Sequence, residues 1–267
     1  MKKERIALLD TDFISKAFQS CAGEEHLIDR VLSLPGYKFF CHQQIVTELG
    51  RHFSDAVKWL RGKIEDGNVM CYTDEDLLDK LQKVYGDSCF LFYMSFLNKA
   101  CAAYSKDYYS THYKDLSLLD SDPIDKKEFL VALEKGDQSI GEDNDLGEIK
   151  TAVLLQVLSN LLGEQIYIFC SDDRNARNGI TQFSGISCMS ILSIFWWLKN
   201  ECDLPKEKAR EYFDSYVLTL AGSQTTFKVI ERGAMDRFEK IPVAKVFDEI
   251  YDDKFMLLRN GMLKYVE

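Results

Sequence analysis

Two short apolar runs in this chain end in acid. IALLDTD carries Asp10 and Asp12, and IYIFCSDD carries Asp172 and Asp173. Although they lie roughly 160 residues apart, both read as a buried strand, then carboxylates, then a helix start. Ligands of open α/β sheets bind outside the carboxyl ends of parallel strands. If the two strands share one sheet, their acids meet at that edge. Carboxylates gathered there repel one another unless a cation joins them, so the pattern predicts a divalent-metal site. Further acids are Glu48 in QQIVTELGRH and the pair Asp145 and Glu148 in DLGE. Each has an ordinary alternative. Asp10, Asp172 and Asp173 can be turn residues or helix caps, Glu48 a solvated helix glutamate, and DLGE a capping box.

The elements that must position these acids alternate. Ile6 to Leu9 is a short buried strand, and Thr11 or Asp12 can cap a helix through Phe13, Ile14, Ala17 and Phe18. Leu27 to Leu34 is helical in pattern and stops at Pro35-Gly36. Tyr37 to Cys41 reads as a second strand leading into the helix of Ile45, Glu48 and Leu49. Residues 54–65 are amphipathic, and Asn68 to Tyr72 reads as a third strand. From 74 to about 133 the pattern is mostly helical, and the acidic loop GEDNDLGE follows. IKTAVLLQVLSNLLG is apolar on most sides and predicts a buried helix. Gln165 to Cys170 is the strongest strand signal, followed by a short strand in ISCMSI and a helix in SIFWWLKN. After about residue 200 the pattern shifts to a charged helix (Lys206 to Leu220) and strand-like TTFKVI, KFMLLRN and GMLKYV.

Composition narrows the class. With 46% hydrophobic residues and 17 Phe, 267 residues can bury one large core, or one of about 200 residues with an appendage. Eight scattered cysteines without a C-x-x-C pair read as small buried hydrophobes, and four histidines lack zinc spacing. The N-terminal apolar run is too short for a signal peptide, and no stretch is long enough to span a membrane. The expectation is a soluble, reduced, cytoplasmic protein. A formal charge of −10 argues against a non-specific nucleic-acid binder, which is normally basic, though local basic patches remain compatible with it.

In order and context these motifs resemble the PIN-domain nucleases. LLDTDFIS matches that family's first acid after strand one, IVTELGRH its helix glutamate, LGEIKTA its third acid and SDDRNAR its fourth. The resemblance covers about residues 5–200. It implies a three-layer α/β/α fold with a central, mainly parallel sheet over residues 1–200. A helical insertion at about 74–140 and a small α+β extension at 201–267 have no counterpart in the minimal family fold.

It further implies a Mg²⁺- or Mn²⁺-dependent endoribonuclease. Asp10, Glu48, Glu148 and Asp173 would be its catalytic acids, with Asp10 and Asp173 the firmest metal ligands and Glu148, Asp145 and Asp172 the other candidates. Thr11, Asp12 and Ser171 would support the ligands, and Arg174 and Arg177 would contact phosphate. Tyr108, Tyr109, His112 and Tyr113 can stack on bases or, more simply, pack the insertion. RNA is the implied partner; a protein inhibitor of the antitoxin kind and a homo-oligomer are compatible with the family. Two other classes fit part of the pattern. A haloacid-dehalogenase-like phosphatase would use Asp10-Thr11-Asp12 and Asp172-Asp173 but leave Glu48 and Glu148 idle. A catalytically inactive PIN-like module would bind a protein partner through the insertion and tail.

Overall fold

The computed structural model describes residues 5–105, 107–119, 124–141, 145–161, 166–220, 226–232 and 237–266. The chain opens with β1 (Arg5–Leu9), α1 (Thr11–Gln19), a two-stranded hairpin of β2 (Cys21–Ala22) and β3 (Glu25–His26), and α2 (Leu27–Leu32). Next come β4 (Tyr37–His42), α3 (Gln43–His52), α4 (Ser54–Glu65) and β5 (Val69–Tyr72). Helices α5 (Asp74–Tyr85), α6 (Cys89–Tyr104), α7 (Tyr108–His112), α8 (Lys126–Ile140) and α9 (Leu146–Leu161) precede β6 (Ile166–Cys170). The remainder is α10 (Arg174–Ser184), β7 (Ser187–Met189), α11 (Ile191–Cys202), α12 (Lys206–Thr219), β8 (Thr226–Ile230), β9 (Phe238–Pro242), α13 (Val243–Tyr251), β10 (Phe255–Leu257) and β11 (Leu263–Tyr265).

The fold is α/β, with a central five-stranded parallel sheet ordered β5-β4-β1-β6-β7 and many helices, compatible with three layers. Strand β1 is central, and Ile6 through Leu9 are all buried. That is why its apolar residues run consecutively instead of alternating: a parallel strand covered on both faces has no solvent side. A second sheet, β10-β11-β8-β9, is mixed: β8 and β9 are antiparallel, β11 and β8 parallel.

The chain divides into two compact units. The first is Met1–Lys38, Tyr167–Thr181 and Ile186–Glu267; the second is Phe39–Ile166 with Gln182–Gly185. The segment expected as an appendage after residue 200 is built into the first unit. Cys188 donates its backbone N–H to Arg259 O at 2.6 Å, Trp196 Nε1 donates to Phe255 O, and Phe195, Phe213 and Phe247 form an aromatic cluster. Two of its elements, β9 and α13, go beyond the sequence expectation. Val243, Val246, Phe247 and Ile250 carry a helical period in a stretch too short and mixed to stand out. Residue 165 of the expected β6 run and residues 142–144 of the acidic loop lie outside the described residues. Among the described residues no helix is long and apolar enough to cross a membrane, and all eight cysteines are free thiols.

The second unit holds the helices of the expected insertion around α9. Lys150, 1% exposed in a largely apolar helix, pairs with Asp74 at 2.9 Å and Asp137 at 2.8 Å. Tyr93 donates its hydroxyl to Asp74, and Tyr113 donates to Asp137 at 2.7 Å. His42 Nδ1 accepts the Gln44 N–H, and its Nε2 faces Asp74 Oδ1 at 3.2 Å. Tyr113 is therefore part of the core; a Cβ on Gly136 would come within 2.3 Å of its ring.

Candidate active site

In the first unit, β1 and β6 are neighbours, and Asp10 N–H donates to Cys170 O at 3.0 Å where both strands end. Asp10 therefore lies at the same sheet edge as Ser171, Asp172 and Asp173. It is 3% exposed and starts α1, where its carbonyl accepts Ile14 N–H but its side chain makes no cap bond. Asp173 is exposed and caps α10: Oδ1 accepts the amides of Asn175 and of Ala176, the latter at 3.1 Å. The buried Ser171 Oγ accepts the Asp173 N–H at 3.1 Å, so it orients that residue through the backbone. Asp172 Oδ1 accepts the Ile191 amide at the start of α11.

A residue missed in the sequence completes this edge. Lys16 Nζ lies 2.9 Å from Asp12 Oδ2 and 2.7 Å from Asp172 Oδ2. Burial opposes the lysine's charge, but Asp172 and Asp12 outweigh it and push its pKa up. Burial also raises the Asp12 carboxyl above its ordinary range; Lys16 works against this, while the charges of Asp172 and Asp173 add to it. The i, i+4 spacing of Asp12 and Lys16 on α1 was the available signal; the partner 156 positions away was not.

Among the described residues no three His, Cys, Asp or Glu side chains converge closely enough to form a metal cage. The donor chemistry nevertheless suits a hard cation. Several carboxylates share one edge and press on each other's charge, and a lysine ammonium bridges two of them. Mg²⁺ commonly uses only one or two carboxylates and keeps several waters. Replacing Lys16 by Met is expected to cost roughly 0.5–1 kcal/mol, as for a partly exposed pair. Added Mg²⁺ should then raise the melting temperature of that variant more than that of wild type. An equal response in both proteins would count against a cation site at this edge.

The second unit carries the other acids. Gly147 lies so close to Glu48 that a Cβ there would sit 2.5 Å from Oε2 and 2.9 Å from Oε1. Glu48 Oε1 also accepts from Gln44 Nε2 at 3.1 Å. Helix α9 starts directly after Asp145, whose carbonyl takes the Ile149 amide, and this sets Glu148 in the first turn. The Tyr108 hydroxyl bonds to Asp145; burial first, then that carboxylate, pushes the tyrosine pKa up. Glu48 and the DLGE turn are thus brought together within this unit.

The two arginines differ. Arg177 is 7% exposed; its guanidinium donates to Ser171 O at 2.8 Å and Asn260 O at 3.1 Å, and burial lowers its pKa. It ties the β6 turn to the C-terminal segment. Arg174 is exposed, its guanidinium carbon 4.9 Å from the Phe238 ring centre. Compared with known protein families, curated proteins and solved structures, the chain matches none.

Proposed function

We propose that the chain is a metal-dependent endoribonuclease with a PIN-like three-layer core, hydrolysing phosphodiester bonds in RNA. The observation that carries this reading is the acidic edge: Asp10 and the Asp172-Asp173 pair at the carboxyl ends of neighbouring strands, joined by the Asp10–Cys170 backbone bond. Asp10 and Asp173 would hold Mg²⁺ or Mn²⁺, with Asp172 kept in place by Lys16 and the Ile191 amide. When bound, such a cation lowers the pKa of a coordinated water and stabilises charge on the leaving oxygen. Glu48 and Glu148, both in the second unit, are the further acids that the resemblance to PIN-domain nucleases assigns to catalysis. Ser171 positions Asp173, and Arg177 positions the turn that carries it.

The test is cleavage of single-stranded and structured RNAs with Mn²⁺, Mg²⁺ or EDTA, wild type beside Asp10→Asn. EDTA-sensitive cleavage that fails in the variant is expected. Folded protein that cleaves nothing with either metal would overturn the reading. Release of phosphate from small phosphomonoesters would then favour the phosphatase class, and inertness on both would favour a protein-binding module.

Gly147→Ala gives a separate check on Glu48. The clash is with the end of a flexible side chain, so the carboxylate swings aside and the helix tolerates the change. Stability should stay within about 1 kcal/mol of wild type, since alanine is the better helix former. Cleavage should fall about 10- to 100-fold, as expected for an ångström-scale misplacement. Unchanged cleavage by the folded variant would remove Glu48 from the reaction.

A further inference from the structure

The first unit contains a cavity of about 420 Å³ that adjoins the acidic edge at Lys16 and Asp172 and whose far wall, in the C-terminal segment, has no role in the reading above. It opens beside Lys16 and Asp172 and reaches the second sheet, where Thr226 to Val229 and Lys240 line it. Lys16, Arg174, Arg177, Lys228 and Lys240 face it against one carboxylate, Asp172, in a chain whose formal charge is −10. This is a concentration of positive charge where the composition disfavours it.

The register of β8 and β9 supplies a second observation. Lys228 and Lys240 are directly opposite each other in the antiparallel pair. Like charges so placed repel and weaken a sheet. Among the described residues neither lysine has an acidic partner to relieve this. Side chains alternate along a strand, so Glu239, opposite Val229, belongs to the other face. Phe238, opposite Ile230, shares the lysine face, is 40% exposed and holds the Arg174 guanidinium over its ring. Two facing lysines and an aromatic-held arginine make a positively charged surface that suits an anionic ligand.

We propose that this cavity binds the phosphodiester backbone of a single-stranded nucleic acid, with Lys228 and Lys240 of the C-terminal segment as its principal phosphate contacts and Arg174 beside them. The choice of a nucleic-acid strand as ligand rests on the nuclease reading. Repulsion between the lysines is relieved when a phosphate chain lies across them, and the same cavity leads to Asp172 at the acidic edge. The C-terminal segment thereby acts as a substrate-binding wall.

The experiment measures binding of a labelled single-stranded RNA by fluorescence anisotropy in EDTA, where no metal-dependent cleavage intervenes. Wild type, Lys228→Ala/Lys240→Ala and Asp10→Asn are compared across a salt series. Losing two phosphate contacts should reduce the salt slope by about 1.4, at about 0.7 per contact, and weaken binding by about 10- to 100-fold at 50 mM salt. The double variant should fold at least as stably as wild type, because it removes a repulsion. Lys83→Ala/Lys99→Ala, two exposed lysines of the other unit, should bind as wild type does. Wild-type affinity and slope in Lys228→Ala/Lys240→Ala overturn the proposal, as do equal losses in the Lys83/Lys99 control or no binding by wild type. Binding lost only in the Lys228/Lys240 variant, from protein that never cleaves, supports the cavity and counts against the nuclease reading. Cleavage with binding unaffected in that variant does the reverse.

Discussion

Asp10→Asn is expected to lower metal-dependent RNA cleavage by about 10²- to 10³-fold, equivalent to about 2.7–4 kcal/mol of transition-state stabilisation. The substitution keeps the side chain's shape and removes its charge. Both backbone bonds of residue 10, from its N–H to Cys170 O and from Ile14 N–H to its carbonyl, are indifferent to the change. Its side chain gives α1 no cap bond that would be lost. In EDTA the variant should therefore melt at or above the wild-type temperature, since one member of a mutually repelling acidic edge has become neutral. Single-turnover cleavage and melting in EDTA, on the same preparations, separate the outcomes. A variant that unfolds makes Asp10 a structural residue. One that folds and cleaves at the wild-type rate places the chemistry elsewhere.

Lys150→Met is expected to destabilise the protein by about 3–5 kcal/mol, the range for breaking a buried ion pair from one side. Methionine fills the space of the lysine stem but leaves Asp74 and Asp137 buried without their cation. The pH dependence distinguishes this cause from packing. Burial works to raise the Asp74 carboxyl, but Lys150 and His42, with hydrogen bonds from His42 and Tyr93, hold it well below the usual range. A depressed folded pKa contributes stability that is present above the ordinary carboxylate value and lost as pH falls through the folded one. Asp137 runs the other way: burial outweighs Lys150 and raises it, so folding gains as pH falls through its pKa. Burial lowers Lys150, but Asp137 and Asp74 outweigh it and raise it; its contribution is complete below the ordinary lysine pKa and lost above the folded one.

Without Lys150 the largest support for an ionised Asp74 is gone, and both acids gain from protonation. The deficit against wild type should then narrow from about pH 7 to about pH 4.5. Urea unfolding at both pH values measures it. An equal deficit at both would mean that packing, and not uncompensated charge, is what Lys150 supplies. Replacing the acids as well, with Asp74→Asn and Asp137→Asn, should recover part of the loss.

The parts of this protein legible in its sequence are those encoded by neighbours along the chain. Ile6–Leu9 and the IYIFC run announce buried strands because every successive side chain is apolar, and the acids that follow mark the carboxyl ends of those strands. Helices α1, α3 and α9 follow from apolar periods of a few residues. The α/β class and the acidic edge of the first unit needed no more than that. Lys150 also left a trace: a lone lysine in an apolar helix needs a buried acid, although its partners, 76 and 13 positions away, do not follow from spacing.

What only the tertiary structure decided are the pairings across distance. Lys16 is unremarkable on α1 until β6 brings Asp172 to within 2.7 Å of its amine. Arg177 looks like a surface arginine of α10 until the C-terminal segment covers it. Lys228 and Lys240 are two ordinary strand lysines whose confrontation depends on the register of β8 against β9, where a one-residue slip would separate them. Charge interactions act through space and carry no period along the chain. For that reason the carboxylates that end the strands could be read from sequence, while the cations that answer them could not.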